Sequence, residues 1–417
     1  MTTRYRFVFA NFVLGNIMLK LNRRVAALRP SATLAADQRA KEMRAAGIDV
    51  ISLDAGEPDF DTPERIKDAA RKALAAGKTK YTAVAGIPEL KEAIRAKLKR
   101  DNHLDYEPAE IIASAGCKQA LSNVIAAMFD EGDEVIIPTP AWVSFSAMVD
   151  LSGAKPVPVR AREDRNFQLT PDALSQAITP RTRAVLINSP SNPTGTVYSA
   201  GPLAEIAHVI QSNPDIWVLS DDTYEHIAYD GPAPHIFQIE PRLKSRGILF
   251  NSLSKTYAMT GWRVGFAAGP KEVIAAAGRL QSQNSGNPNS IAQAAAVEAL
   301  NGPQDDVKVM AEEFRKRRQL IVERVRAVPG FSLPNIPSGA FYVFPNVSAL
   351  FGSTHNGKKI ADGDAFANFL LEEAKVSTVG GNDFGAPEHI RMSYATSTEK
   401  INGAFYRITA AVRKLQK

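Results

Sequence analysis

The chain has 417 residues, of which 45% are hydrophobic and 23% charged, an ordinary balance for folded domains. This composition excludes a disordered, collagen-like or membrane-embedded chain, and the length predicts two or three domains. The net charge of +6 is small and scattered, and no basic stripe or nucleic-acid-reading motif accompanies it. We therefore expect a mildly basic soluble protein with neither a nucleic acid nor a membrane as partner.

The single cysteine, Cys117, excludes an internal disulfide and fits a reducing compartment. The six histidines are dispersed and no H-E-x-x-H occurs, so no metal site is predicted. Residues 7–18 form a mostly apolar run, but it lacks a small-residue cleavage site and is too short to span a bilayer. We hypothesise that Met18 is the natural start, that residues 1–17 are a non-native or disordered extension, and that the protein is cytoplasmic. N-terminal sequencing of the native protein would disprove this start if residues 1–17 were found.

In chain order, the first clear helical signals begin at Thr62-Pro63, which predicts an N-cap followed by the first helical residue. Apolar residues then recur at helical spacing until Gly77, which is predicted to end the helix. Pro88 opens a second helix with three apolar residues on one face.

Five short apolar runs follow, each bounded by turn or polar residues as buried strands are. They lie at 111–112, 135–137, 184–187, 216–219 and 248–250. Helical stretches separate most of them, at 119–129, 171–178 and 203–210. This alternation predicts an α/β fold with a mostly parallel sheet between helices.

The end of the chain has a different pattern. A long charged helix is predicted at about 307–328, followed by strands at 340–344, 376–379 and 390–394 and by helices near 364–374 and 398–415. We read this region as a smaller α+β domain. The predicted division is a large domain over 67–310 and a small domain built from 18–66 and 311–417.

The predicted strands have chemically similar ends. Each is followed by small, polar or aromatic residues, at 115–118, 138–142, 189–195, 221–224 and 252–255. Ligands of open α/β sheets bind at the carboxyl ends of the strands. The agreement of five strand ends, more than any single one, therefore predicts a ligand site along this edge.

Side chains at these strand ends suit one kind of ligand. Gly116 at a helix N-terminus could hold a phosphate, and Arg263 offers the phosphate a bidentate clamp. Trp142 could stack on a flat ring, Asp221 could pair with a protonated ring nitrogen, and Lys255 could form an imine with an aldehyde. A phosphate, a flat heterocycle, a basic nitrogen and an aldehyde together describe pyridoxal 5′-phosphate (PLP).

The motifs around these residues resemble those of class I aminotransferases of PLP fold-type I. They are N-P-T-G at 192–195, D-x-x-Y at 221–224 and S-x-S-K-x-x-x-M-x-G-W-R at 252–263. Segments at 55–63, 79–81, 86–90, 338–342 (S-G-A-F-Y) and 391–397 extend the resemblance over about 24–413. It is nearest to the prokaryotic aspartate aminotransferase branch, some members of which also use prephenate.

The resemblance implies a role for each residue that matches a cofactor-binding position. Lys255 would be the Schiff-base lysine and the proton shuttle, Asp221 would hold the ring nitrogen, and Tyr224 and Asn192 would bond the ring oxygen. The remaining contacts to the cofactor would come from Gly116, Cys117, Trp142, Ser252, Ser254, Arg263 and Tyr81 of the neighbouring subunit. A homodimer with shared active sites follows from that last contact.

The resemblance also implies how the substrate binds. Arg391 would clamp the α-carboxylate, helped by Asn192 and the Gly56 backbone, and Lys118 and Thr33 match positions that favour a second carboxylate. The implied small-molecule partners are amino acids and 2-oxo acids. The implied reaction converts aspartate and 2-oxoglutarate into oxaloacetate and glutamate in two half-reactions.

Three positions depart from the family pattern and leave the substrate open. Ala141 stands where a tyrosine often precedes the tryptophan, Cys117 where glycine is common, and Arg29 where lysine often precedes P-S-A-T. Aromatic, alanine-like or prephenate substrates and a PLP lyase reaction remain alternatives. A non-catalytic PLP-binding regulator is disfavoured because no helix-turn-helix precedes residue 24. Lys118 facing solvent and Thr33 as a turn residue are the plain structural alternatives.

Overall fold

The computed structural model of the protein describes residues 21–28 and 32–416. The hypothesis about residues 1–17 and the departure at Arg29 therefore fall outside the described residues. None of the helices in the described part is long and apolar enough to cross a membrane.

A seven-stranded sheet forms the centre of the fold. Its strands, in order across the sheet, are Ile111–Ser114, Gly265–Ala268, Gly247–Ser252, Trp217–Asp221, Thr182–Asn188, Glu134–Thr139 and Lys155–Arg160. Neighbouring strands are parallel except at Gly265–Ala268, which runs antiparallel to both of its neighbours. The predicted α/β fold with a mostly parallel sheet is confirmed.

Alternate residues of the strands face two separate hydrophobic cores, as the period of two requires. On one face, Ile136 and Val218 pack with helices Glu64–Ala75, Pro88–Asn102, Pro171–Ala177, Ala200–Gln211, Ile236–Ile239 and Ser290–Asn301. On the other face, Val135 and Leu219 pack with helices Cys117–Met128, Ser144–Ser152 and Lys271–Asn284. The sheet is therefore covered by helices on both faces, and its strand ends remain available for a site.

Most of the remaining described residues build a third core around Phe314, Phe341 and Ile401. Before it in the chain lie the short helix Arg23–Ala27 and helix Ala32–Ala45, whose Ala40 packs with Val50 and Leu371 in a smaller cluster. The helices of the third core are Asp305–Arg326, Gly363–Phe369 with a π-helical turn at Leu370–Ala374, and Thr398–Val412. Its strands are Tyr342–Val343, Ile390–Ser393 and Val379–Gly380 in one antiparallel sheet, Ile51–Ser52 parallel to Val376–Ser377, and the hairpin Thr354–His355 with Lys358–Lys359. The predicted boundaries at residues 66 and 310 stay predictions.

Local differences from the predicted elements have simple causes. Pro63, and not Thr62, is the N-cap of helix Glu64–Ala75. The Thr62 hydroxyl accepts from Trp262 Nε1 at 3.0 Å and donates to the Ala258 carbonyl at 2.7 Å. The sequence also gave no signal for the edge strand Lys155–Arg160, which contains two prolines, a composition tolerated at a sheet edge.

Candidate active site

A cavity of about 600 Å³ lies where five strands of the large sheet end. It is lined by twelve of the predicted site residues: Gly56, Cys117, Lys118, Trp142, Asn192, Asp221, Tyr224, Ser252, Ser254, Lys255, Arg263 and Arg391. These residues come from segments more than 300 positions apart in the chain. The fold therefore brings most of the predicted site together at one place.

Two predicted site residues, Gly116 and Tyr81, are not among the described residues that line the cavity. Gly116 adjoins it, because a Cβ at this position would overlap the Arg263 guanidinium. The Tyr81 side chain is 98% exposed, away from the cavity of its own chain. Thr33 belongs to helix Ala32–Ala45, and the prediction for its side chain lies outside what the structure describes.

Lys255 lies on the short helix Leu253–Thr256, which follows directly from strand Gly247–Ser252. Its amine is partly buried in the cavity and donates a hydrogen bond to the Gly56 carbonyl. Burial lowers the pKa of Lys255 to about 8. At pH 7.5 roughly a quarter of the amine would be neutral, against about a thousandth for an ordinary lysine. Lys255 is thus prepared to act as a nucleophile or as a base.

Asp221 is buried at the end of strand Trp217–Asp221, and its two carboxylate oxygens have different surroundings. Oδ1 accepts hydrogen bonds from the Thr223 amide at 3.1 Å and the Thr223 hydroxyl at 2.7 Å, and the Cys117 thiol lies 3.9 Å away. Within the described residues no protein donor bonds Oδ2. Burial raises the pKa of Asp221 to about 6. Such a carboxylate would gain from a cationic partner in the cavity.

The Cys117 thiol is buried beside Asp221. Burial, and next the Asp221 charge, raise the pKa of Cys117 well above its ordinary value. The protonated thiol is therefore favoured, which agrees with a small buried side chain and opposes a role as nucleophile.

The start of helix Cys117–Met128 forms a second feature of the cavity. Gly116 caps this helix with φ of +88°, a conformation that glycine adopts without strain. Arg263 reaches the same place, with Nη1 donating to the Thr260 carbonyl at 2.9 Å and Nη2 to the Ala115 carbonyl at 3.4 Å. Helix-terminal amides beside a guanidinium make a suitable place for a phosphate.

Ser252 and Ser254 complete the same end of the cavity. Ser252 Oγ accepts from the Ser254 amide at 3.1 Å, and the two hydroxyls are 2.8 Å apart. Both residues are buried. Their hydroxyls are fixed close to Lys255 by the turn that joins strand and helix.

Arg391 is 1% exposed and its guanidinium is held on several sides. Nη1 donates to Asn192 Oδ1 at 2.9 Å and Nη2 to the Asp54 carbonyl at 2.8 Å. The guanidinium carbon lies 4.5 Å from the Tyr342 ring centroid and 5.3 Å from that of Phe384. Its buried Nε has no partner in the described chain. Arg391 is therefore a fixed cation, and each terminal nitrogen keeps a second N–H that could donate to an anion in the cavity.

Trp142 and Lys118 also line the cavity, although they come from other segments of the chain. The Trp142 ring meets Phe145 edge-on, with centroids 5.2 Å apart. The Lys118 ammonium lies 4.9 Å from the Trp142 ring centroid, and burial lowers its pKa. Lys118 thus brings a positive charge to the wall of the cavity, although the residue remains largely exposed.

Three residues that contact Arg391 were not predicted from the sequence. They are Asp54, Tyr342 and Phe384, which reach the guanidinium from three separate segments. A signal existed for one of them only, because Tyr342 ends the S-G-A-F-Y segment. The Tyr342 hydroxyl also lies 2.9 Å from the Tyr224 hydroxyl.

Comparison with known proteins gives one consistent family. Residues 48–408 match the model of aminotransferase class I and II. The chain is 50% identical to an aspartate/prephenate aminotransferase of Cereibacter sphaeroides and 49% identical to an aspartate aminotransferase of Geobacillus stearothermophilus; each match covers 94% of this chain and 98% of the relative.

Solved structures agree with the sequence relatives. An aspartate aminotransferase from Rhizobium meliloti superposes with a TM-score of 0.92 at 46% identity, covering 95% of this chain and all of the other. The Thermus thermophilus aspartate aminotransferase with maleate has a TM-score of 0.89 at 43% identity, covering 94% and 100%. The predicted resemblance is confirmed, and the protein belongs to the class I and II aminotransferases, a family that implies pyridoxal phosphate as cofactor.

Proposed function

We propose that the protein transfers the amino group of aspartate to 2-oxoglutarate with PLP bound in the cavity, by a ping-pong mechanism. The observation that carries this proposal is the convergence of Lys255, Asp221 and Arg391 on one cavity. A nucleophilic amine, a buried carboxylate and a carboxylate clamp are the three groups that such a transfer needs.

The residues present fit PLP. Gly116 leaves room for Arg263 beside a helix N-terminus, which suits the phosphate. Asp221 presents an oxygen that no donor of the described residues bonds, which suits a protonated ring nitrogen. Trp142 lines the wall at which a flat ring would stack. When bound, PLP supplies the electron sink that makes the Cα proton of an amino acid acidic.

The protein's own groups would then divide the work. Lys255 would hold the cofactor covalently, and once released by the amino acid it would take the Cα proton at Nζ and return it. Its lowered pKa keeps part of the amine neutral at physiological pH, which both tasks require. Asp221 would keep the ring nitrogen protonated. Arg391 and Asn192 would bind the α-carboxylate and so orient the Cα–H bond.

Aspartate is the proposed donor for two reasons. The two sequence relatives described above are aspartate or aspartate/prephenate aminotransferases, and the Thermus relative was solved with the dicarboxylate maleate. In this chain, Lys118 places a second positive charge on the cavity wall for a side-chain carboxylate. Prephenate is a second candidate acceptor because the Cereibacter relative at 50% identity acts on it by name.

We further propose that the protein is a homodimer in the cytoplasm. Tyr81 supports the dimer, because an aromatic side chain that is 98% exposed in one chain is suited to a contact with a second copy. In that arrangement Tyr81 would reach the phosphate site of the partner. No metal is needed for the proposed reaction.

A visible absorption spectrum of the purified protein tests the proposal. With PLP bound to Lys255 we expect a visible band that is lost on adding L-aspartate without a 2-oxo acid and restored by 2-oxoglutarate. A band that responds to alanine or phenylalanine but not to aspartate would overturn the substrate. No band after incubation with PLP would overturn the role of Lys255.

A further inference from the structure

Tyr342 is a cavity residue for which the proposed reaction has so far given no role. It lies on strand Tyr342–Val343, it is fully buried, and its side chain lines the cavity. Its hydroxyl is 2.9 Å from the Tyr224 hydroxyl, and its ring lies 4.5 Å from the Arg391 guanidinium carbon. One side chain thus contacts both the predicted donor to the ring oxygen and the predicted carboxylate clamp.

The loop that presents Tyr342 is held in place from several directions. Ala340 is buried with φ of +53°, and its amide donates to the Ile227 carbonyl at 2.8 Å. The Ala340 carbonyl accepts from the hydroxyls of Tyr229 and Tyr394, the latter at 3.1 Å. A left-handed, non-glycine residue persists only where its surroundings fix it. The position of Tyr342 is therefore set by the fold before any ligand arrives.

Counting protons in the tyrosine pair shows what Tyr342 can do. Two hydroxyls that bond each other have two protons but share one hydrogen bond, so the hydroxyl that accepts keeps its proton for another partner. In the described part of the chain, neither Tyr224 nor Tyr342 has a second protein partner for its hydroxyl. The direction of their mutual bond therefore decides which tyrosine donates into the cavity.

The charge of Arg391 favours one direction. Burial raises the pKa of both phenols. At Tyr342, whose ring lies against the guanidinium, the Arg391 charge is the main influence that opposes this rise, whereas at Tyr224 the neighbouring Tyr342 adds to it. A nearby cation makes a hydroxyl a better donor. Tyr342 is then the donor of the pair, and the Tyr224 proton is left free.

We propose that Tyr342 is a positioning residue: its hydroxyl donates to the Tyr224 oxygen and turns the Tyr224 proton toward the ring oxygen of bound PLP, while its ring supports Arg391. This inference rests on the proposed function, because it takes PLP as the occupant of the cavity. The hydroxyl of Tyr342 would thus orient Tyr224, and the ring of Tyr342 would support Arg391.

The hydroxyl is tested with Tyr342→Phe, which keeps the ring. A weaker donor at the ring oxygen leaves more negative charge there, so the proton shared by cofactor and Lys255 is held more tightly. The pH midpoint of the visible band should rise by roughly 0.3–1 unit. Tyr198→Phe is the matched control, since it removes the hydroxyl of another buried tyrosine, which accepts from the Leu169 amide at 3.0 Å, outside the cavity. That variant should keep the midpoint of the unsubstituted protein.

The ring is tested with Tyr342→Leu, which removes ring and hydroxyl together. Loss of the cation–π contact should weaken binding of maleate, a non-reacting dicarboxylate, by roughly two- to fivefold relative to Tyr342→Phe. Melting temperatures of all variants identify any that fail to fold. An unshifted midpoint in Tyr342→Phe, or equal maleate affinity in the two Tyr342 variants, would overturn the inference. A missing visible band in the unsubstituted protein would instead refute the proposed function.

Discussion

Lys255 has an environment in which its charge is costly. Among the described residues its amine has one hydrogen-bond acceptor, the Gly56 carbonyl, and burial lowers its pKa to about 8. The cations Arg391 and Arg263 add to this lowering, whereas Glu57 opposes it. The side chain is therefore a better nucleophile near neutral pH than its residue type suggests.

This environment predicts a pH dependence for cofactor capture. Only the neutral amine attacks an aldehyde, so the rate at which apo-protein takes up PLP should rise with pH through about 8 and then level off. Stopped-flow absorbance between pH 6 and 10, at fixed ionic strength, would measure it. A rate that keeps rising beyond pH 10 would mean that Lys255 behaves as an ordinary exposed lysine.

Lys118 gives a second prediction for a single residue. Lys118→Ala should lower kcat/KM for aspartate roughly fivefold, which corresponds to about 1 kcal/mol of transition-state stabilisation, because an exposed ion pair to the side-chain carboxylate is lost. The value for alanine should change little. Lys91→Ala is a suitable control, since burial also lowers the pKa of Lys91 but this residue lies outside the cavity. Equal losses for both amino acids would remove Lys118 from the side-chain subsite.

At the scale of elements, the junction of strand Ile111–Ser114 with helix Cys117–Met128 depends on one glycine. Gly116→Ala places a methyl group against Arg263 at φ of +88°, whereas Gly132→Ala has a similar φ of +95° and open space around it. We expect both variants to lose about 1 kcal/mol or more from backbone strain. Only Gly116→Ala should also weaken PLP binding.

Equilibrium dialysis of PLP and urea unfolding of the two glycine variants separate these effects. If both variants lost PLP affinity equally, the loss would come from strain rather than from the contact with Arg263. If neither did, the phosphate would bind elsewhere.

A buried ion pair stabilises the backbone at two of the strand ends that line the cavity. Lys97, on helix Pro88–Asn102, contacts Glu225, which also accepts from Asn102 Nδ2 at 2.7 Å and Asn251 Nδ2 at 2.6 Å. Although burial alone would raise the pKa of Glu225, Lys97 and His226 lower it to about 2. Glu225 and Asn251 are the direct chain neighbours of Tyr224 and Ser252, so the network fixes the backbone that presents both.

Breaking this pair should be more harmful than removing it. Lys97→Met leaves the buried Glu225 carboxylate without its lysine partner and should cost about 3–5 kcal/mol of unfolding free energy, whereas Lys97→Met with Glu225→Leu should cost less. Urea unfolding of the single and double variants measures the coupling. Additive losses would show that the two side chains do not act as a pair.

How far the sequence predicts these elements depends on how local their signals are. The parallel strands were predicted because each is a short apolar run between polar residues, and the strand-end motifs identified Lys255, Asp221 and Arg263. Strand Gly265–Ala268 was missed because its four small or aromatic residues resemble a loop. The surroundings of Arg391 were missed because Asp54 and Phe384 meet it only through tertiary structure, which periodicity does not encode.

For the whole molecule, both ends of the described chain contribute to the cavity. Strand Ile51–Ser52 pairs with Val376–Ser377, and the Leu53 carbonyl accepts from the Ser393 amide. Gly56 and Arg391 therefore reach the cavity from one joined structure, while Lys255 and Asp221 reach it from the large sheet. The proposed reaction needs both parts in the same place.

The proposed dimer can be tested by complementation. If Tyr81 acts across the interface, mixing unfolded Tyr81→Ala and Lys255→Ala chains and refolding them together should regenerate up to about one quarter of the unsubstituted activity, because half of the dimers contain one intact site. Each variant refolded alone is the control. A mixture no more active than the average of the two would place Tyr81 in its own chain's site or in none.

The antiparallel strand Gly265–Ala268 bears on which ligands can contact both Lys255 and Arg263. Ser252 pairs with Gly265, so Lys255 and Arg263 both lie in the single connection between these partners, and the start of helix Cys117–Met128 packs directly on Gly265. The backbone anchors of the amine and the guanidinium therefore belong to one closed loop. A ligand that bonds Lys255 through an aldehyde and Arg263 through an anion would contact both residues of this loop, whereas pyridoxal without its phosphate would contact only Lys255.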